Sequence, residues 1–194
     1  MTNIALKKTK SGYTPRATVF SSRNETTNPL YIRDAETVAR NLSEAGFGIN
    51  NGGSSSGLMG VVAKATKKAG GHVFGIALAN HDPKPHAYLD EYEAYTDHHD
   101  RQRRLIELGD AYIALPGAVG TFHEILEVHI LNILKECDKP TVLVGDYFDR
   151  YKNLIDSFIA ENLMHEDHTP LFYAKDGDEA ARIVIDYFDS LVER

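Results

Sequence analysis

The chain has 194 residues, 42% apolar and 25% charged, long enough for one domain with its own core and cramped for two. Twenty-one Lys and Arg against 28 Asp and Glu leave a formal charge of −7, which speaks against a general grip on nucleic-acid backbones but not against a small anion held by backbone N–H groups. The single cysteine, Cys137, permits no internal disulfide, the N-terminal stretch has no apolar signal core, and no run of about 18 apolar residues exists, so a reducing cytoplasm and no membrane span are expected.

The first sixteen residues, MTNIALKKTKSGYTPR, are basic and aperiodic and read as a flexible or docked leader ahead of a single domain over 17–194. Ala17–Phe20 reads as a short strand that ends in the polar turn Ser21–Asn28. Tyr31, Ala35, Val38, Ala39, Leu42 and Ala45 then recur at helical spacing up to Gly46. Phe47–Asn50 is a second strand, followed by a Gly/Ser loop, a helix over Leu58–Lys68 closed by Gly70 and Gly71, and a third strand over His72–Leu78. Ala79–Tyr95, rich in Pro, His, Asp and Tyr, reads as a connection carrying side chains toward a site, with room for one short edge strand. A helix over Asp97–Leu108, a buried strand over Ala111–Leu115, a helix over Gly120–Lys135 and a strand over Thr141–Val144 come next. Helices near Tyr147–Glu161 and Asp178–Val192 close the chain, the last with Ala180, Ile183, Val184, Tyr187, Phe188 and Leu191 on one face. This alternation predicts an α/β fold: a Rossmann-like, doubly wound parallel sheet flanked by helices on both faces.

Two glycine-rich loops lie where strands give way to helices, the place at which open parallel sheets collect ligands. Gly52-Gly53-Ser54-Ser55-Ser56-Gly57 combines close backbone approach with hydroxyl donors and a helix start that favours an anion, although Gly and Ser also make plain turns. Pro116-Gly117-Ala118-Val119-Gly120-Thr121-Phe122-His123-Glu124 does the same. Its Thr121-x-x-Glu124 also matches a capping box, in which Thr121 caps the helix and Glu124 reaches back. The chain has no G-x-x-x-x-G-K-[ST], and no G-x-G-x-x-G follows the first strand, so ATP hydrolysis and dinucleotide redox chemistry lose their usual support.

These residues resemble the LOG (LONELY GUY) family of cytokinin riboside 5′-monophosphate phosphoribohydrolases, also labelled lysine decarboxylase-like. PGAVGTFHE at 116–124 is similar to the family's PGGxGTxxE, with Ala118 in place of the second glycine. VFSSRNETTNPLY is similar to its opening turn and NGGSSSGLMG to its GG-x-x-x-GLMG loop. His98-His99-Asp100-Arg101-Gln102 occupies its M-H-x-R-K stretch, with Gln102 in place of lysine. The resemblance implies cleavage of the N-glycosidic bond of a nucleoside 5′-monophosphate to free base and ribose 5-phosphate, by a homodimer with Arg101 and Glu124 as the catalytic pair. The substrate- and phosphate-binding set it implies is Gly52, Gly53, Ser54, Gly57, Met59, His99, Pro116, Gly117, Gly120 and Thr121.

Glu124, just inside a helix N-terminus, is expected to stay ionised beside a sugar that gains positive charge as the base departs. Arg101 taken alone is a surface helix residue in company with Arg103 and Arg104. Pyridoxal phosphate is not expected, because the site motifs hold no lysine for a Schiff base and Lys64, Lys67 and Lys68 belong to a solvated helix face. No cofactor is expected, nor a metal: His81, His86, His98, His99, His123 and His129, with Asp82, Asp97 and Asp100, lack ligand spacing. His99 is read as a substrate-side residue, His123 and His129 as helix-face residues, and Cys137 as a helix-end residue. The alternative is a non-catalytic nucleotide-binding or carrier protein of the same fold; a third reading is action on another N-glycoside, such as a pyrimidine nucleotide. Ile125, Leu126, Val128, Ile130, Leu131, Ile133 and Leu134 exceed what one buried helix face needs, which favours a dimer interface.

Overall fold

A computed structural model of the chain describes residues 14–81, 84–165 and 169–192, with the side chains of 191 and 192 left out. Most of the leader, Asp82 and the side chain of Leu191 therefore lie outside the described residues. Seven parallel strands form one sheet: β1 (Arg16–Phe20), β2 (Gly48–Asn51), β3 (Val73–Leu78), β4 (Glu91–Tyr95), β5 (Ala111–Ala114), β6 (Thr141–Val144) and β7 (Leu171–Ala174), in the order β4-β3-β2-β1-β5-β6-β7. The helices are α1 (Pro29–Glu44), α2 (Gly57–Lys68), α3 (His98–Glu107), α4 (Val119–Ile133), α5 (Asp149–Ala160) and α6 (Gly177–Val192).

The short apolar strands are buried on both faces, and each face has its own core. Ala17, Val19, Ile49 and Ile113 pack with Val38 and Leu42 of α1, Leu58 and Val62 of α2, and Ala180 and Val184 of α6. Phe20, Ile76, Tyr112 and Leu143 pack on the other face with Leu105 of α3, Ile125 and Val128 of α4, and Tyr151 of α5. Burial of the larger of these side chains, at roughly 1.5–3 kcal/mol each, holds the helices against the sheet.

The expected fold class is the observed one. The edge strand in the Ala79–Tyr95 connection is β4, and Asn28 and Asp97 cap α1 and α3 with their side chains. The addition is β7. Its four residues, two of them half-buried and Tyr173 exposed, are too few and too mixed to show a period. On α4, Ile125 and Val128 are buried, while Leu126, Ile130 and Ile133, with Leu134 at the C-cap, are exposed along a stripe.

Candidate active site

The strand order reverses at β1, where β2 lies on one side and β5 on the other, so the crevice beyond the carboxyl ends of these strands is the natural place for a ligand. Three loops meet there. Leu115 N–H donates to Phe20 O (2.9 Å), Ser22 N–H to Pro116 O (3.3 Å) and Met59 N–H to Ser22 O (3.3 Å), which ties the turns after β1, β2 and β5 into one rim. They enclose a cavity of about 310 Å³ lined by Ser21, Ser22, Arg23 and Asn24, by Gly52, Ser54 and Met59, by Leu78 and His81, by His98 and Arg101, and by Ala118, Gly120, Thr121 and Glu124.

Arg101 and Glu124 meet at the cavity floor. Arg101 Nη1 donates to Glu124 Oε1 at 2.9 Å, its Nε to Ile76 O of β3 at 3.0 Å, and Nη1 also approaches Gln102 Oε1 at 3.4 Å. Both residues are buried, Arg101 8% and Glu124 5% exposed, so the pair is not a surface contact of the weak kind. Gly52 makes room for it: a Cβ there would stand 2.6 Å from Arg101 Nη2 and 3.0 Å from Met59 Sδ. Burial pushes the Glu124 carboxyl above its ordinary pKa, and the Arg101 guanidinium draws it back. The helix end alone therefore does not set its charge.

No capping box forms. α4 begins at Val119 after Ala118, without a side-chain cap, and Thr121 lies instead over Gly117, where any Cβ would collide with Thr121 Oγ1. A Cβ at Gly120 would meet nothing within 4 Å. The Gly117 carbonyl accepts the Tyr147 hydroxyl, which pins the loop from behind. The start of α4 thus opens on the cavity with no side chain claiming its first N–H groups.

The loop after β2 is built differently. Gly53 N–H donates to Asn51 Oδ1 (2.9 Å), Ser56 N–H to Ser54 Oγ (3.3 Å) and Gly57 N–H to Glu25 Oε1 (3.4 Å). Gly53 and Gly57 have φ of +79° and +59°, and a Cβ on Gly57 would stand 2.5 Å from Asn24 O. Of the residues expected here, Gly52, Ser54 and Met59 line the cavity, while Gly53 and Gly57 shape the turn. Of those expected after β5, Gly120 and Thr121 line it, and Pro116 and Gly117 lie buried behind them.

His99 is not among the lining residues; His98 is. His98 and Arg101 are three apart on α3 and share a face, which His99 does not, and that spacing is the signal that points to His98. Its ring lies 5.5 Å from that of His123. Ser21 to Asn24, Leu78 and His81 are further lining residues that loop composition does not single out. His129 is buried with Nδ1 at 2.7 Å from Tyr151 Oη, His123 is exposed, and Cys137 is half-buried near the Tyr112 hydroxyl. Among the described residues no group of three or more His, Cys, Asp and Glu is arranged to hold a metal ion, and no helix is long and apolar enough to cross a membrane.

The family model described as "Possible lysine decarboxylase" matches residues 59–184. The chain is 36% identical over 137 residues to a cytokinin riboside 5′-monophosphate phosphoribohydrolase from Rhodococcoides fascians, covering 69% of each chain. It is 35% identical over 147 residues to cytokinin riboside 5′-monophosphate phosphoribohydrolase LOG5 from Arabidopsis thaliana, covering 74% of this chain and 63% of that one. A Moco carrier protein from Chlamydomonas reinhardtii superposes with a TM-score of 0.71 over 92% of this chain and 99% of its own, at 18% identity, a likeness of fold alone.

Proposed function

The chain belongs to the LOG family, the family of the possible lysine decarboxylase model, and from that premise we propose that it is a phosphoribohydrolase of nucleoside 5′-monophosphates. The observation that carries this reading is the buried Arg101–Glu124 pair beside the uncapped start of α4. The phosphate would sit on the backbone donors and hydroxyl around Gly120 and Thr121, where the helix dipole favours an anion without any net basic surface.

With the phosphate there, the ribose lies over the cavity floor. Water adds its oxygen to C1′ as the C1′–N bond breaks, and the bonding pair leaves with the base, which takes up a proton. The sugar gains positive charge on the way, and a carboxylate beside it lowers that barrier. Glu124 supplies the carboxylate, with its elevated pKa suited to taking a proton from the attacking water. Arg101 holds that carboxylate through Nη1 while Nε is anchored on β3, so the pair is organised before substrate arrives.

Incubation with a panel of purine and pyrimidine nucleoside monophosphates, followed by chromatography for free base and ribose 5-phosphate, tests the proposal; release of neither from any member overturns it. One observation favours a carrier instead, namely Ala118 at the second glycine of the family loop. A carrier would show thermal stabilisation by a monophosphate without base release. The exposed stripe Leu126, Ile130, Ile133 and Leu134 supports a homodimer through α4, and a monomeric mass by light scattering would refute it.

A further inference from the structure

We propose that Tyr147 is the positioning residue of the anion seat: its hydroxyl holds the loop after β5 in the shape that receives a phosphate. The place of that phosphate, at the start of α4, rests on the phosphoribohydrolase reading.

The turn that carries Tyr147 follows β6. Gly145, at a φ of +85°, swings the chain off the strand end and donates its N–H to Ala174 O of β7 at 2.8 Å, and a short 3-10 turn runs from Asp146 to Phe148. Phe148 is fully buried in the core that α4 covers, which anchors the turn. Tyr147 is half-buried, and its ring is held from several sides: Phe148 edge-on at 5.1 Å, Tyr31 of α1 edge-on at 5.8 Å, Phe122 of α4 at 6.3 Å, and the Arg150 guanidinium over its face at 4.0 Å. A ring packed in this way delivers its hydroxyl to one place, the Gly117 carbonyl.

Gly117 is the pivot of the seat. Its carbonyl shares a trans peptide with the Ala118 N–H, and the two point in opposite directions, so a donor on the carbonyl fixes the direction of that N–H as well. Thr121 lies over the Gly117 α-carbon, and Ala118, Gly120 and Thr121 line the cavity whereas Tyr147 does not. The hydroxyl thus acts on a bound phosphate through the Gly117–Ala118 peptide, without touching it.

Tyr147→Phe tests this, since it keeps the ring and removes the hydroxyl. Calorimetric titration of the wild type and the variant with adenosine 5′-monophosphate and with adenosine reads the affinity, and the stoichiometry reads the fraction of protein able to bind. The variant should bind the monophosphate about tenfold more weakly at unchanged stoichiometry, and adenosine, which has no phosphate, within about twofold of the wild type. In base-release kinetics KM for the monophosphate should rise by the same factor while kcat stays within about threefold, because the lost interaction serves bound substrate and transition state alike. A hydroxyl that only braces the fold would lower the melting temperature and spare this selectivity. An unchanged affinity for the monophosphate, or an equal loss for both ligands, overturns the role of Tyr147 and leaves the phosphoribohydrolase reading standing. Absence of base release overturns that reading, and the titrations then decide the role of Tyr147 by themselves; a wild type that binds no monophosphate overturns both.

Discussion

The loop after β2 directs its backbone donors to the protein itself: Gly53 to Asn51, Ser56 to Ser54, Gly57 to Glu25 and Met59 to Ser22. The loop after β5 leaves the start of α4 uncapped, and its carbonyls accept from the protein, Pro116 from Ser22 N–H and Gly117 from the Tyr147 hydroxyl. Both join a strand to a helix with glycine and hydroxyl side chains, yet one is a brace and the other leaves a helix start uncapped, the anion seat proposed above. What separates them is where the first helical N–H groups go, because a helix start attracts an anion only while those donors are unclaimed.

Breaking the site between the two loops has the largest expected effect. Glu124→Gln should lower turnover by about 10² to 10³ while leaving the fold, since the amide oxygen still accepts from Arg101. Arg101→Ala should lose as much activity and also about 3–5 kcal/mol of stability, because it strands a buried carboxyl. Base-release kinetics and thermal melts measure the two, and near-normal turnover in either variant would remove that residue from the chemistry.

The next pair separates brace from seat. Gly53→Ala puts a methyl 3.1 Å from Ala77 Cβ at a φ of +79°, so it should cost about 1–3 kcal/mol in melting while the folded fraction keeps its KM. Gly117→Ala drives Thr121 off its place and should raise KM roughly 10- to 100-fold by disturbing an anion contact. An equal rise of KM in both would mean that the β2 loop also holds substrate.

How much of this was legible depended on the kind of signal. The α/β order follows from alternating apolar runs, and Asn28 and Asp97 announce their helix starts as capping residues do. The β7 strand escapes because four residues of mixed exposure, from buried Ala174 to exposed Tyr173, carry no period. Thr121-x-x-Glu124 spells a capping box, but tertiary packing overrides it: Gly117 draws Thr121 inward and Arg101, twenty-three residues back, takes Glu124. Gly52 is legible only as a glycine; that it clears space for a guanidinium depends on where the fold brings Arg101. His99 matches the family letter, whereas helical phase favours His98.

A smaller effect concerns charge. Burial holds the Glu124 carboxyl in the folded protein above its unfolded pKa, so folding favours the protonated form. The stability this group contributes is full below the unfolded pKa and is lost as pH rises through the folded one. Glu124→Gln does not titrate there. Its melting temperature should therefore gain on that of the wild type as pH rises across the interval between the two values; a gap that widens toward acid would show that Arg101 outweighs burial.

The smallest expected effect is at Ala118. Its φ of −100° and ψ of −152° lie in extended backbone that any residue adopts, so alanine needs no distortion where the family loop has glycine. Ala118→Gly should cost about 0.5–1 kcal/mol of stability through added freedom in the unfolded chain. With the uncapped helix start unchanged, kcat/KM should stay within about threefold, well short of the factor lost with one oxyanion-type contact. If the glycine instead raises turnover by two orders of magnitude, the alanine methyl blocks the anion seat in the natural protein. The carrier reading then gains what the hydrolase reading loses, and the seat after β5 would differ from the brace after β2 in what it holds and not in what it cleaves.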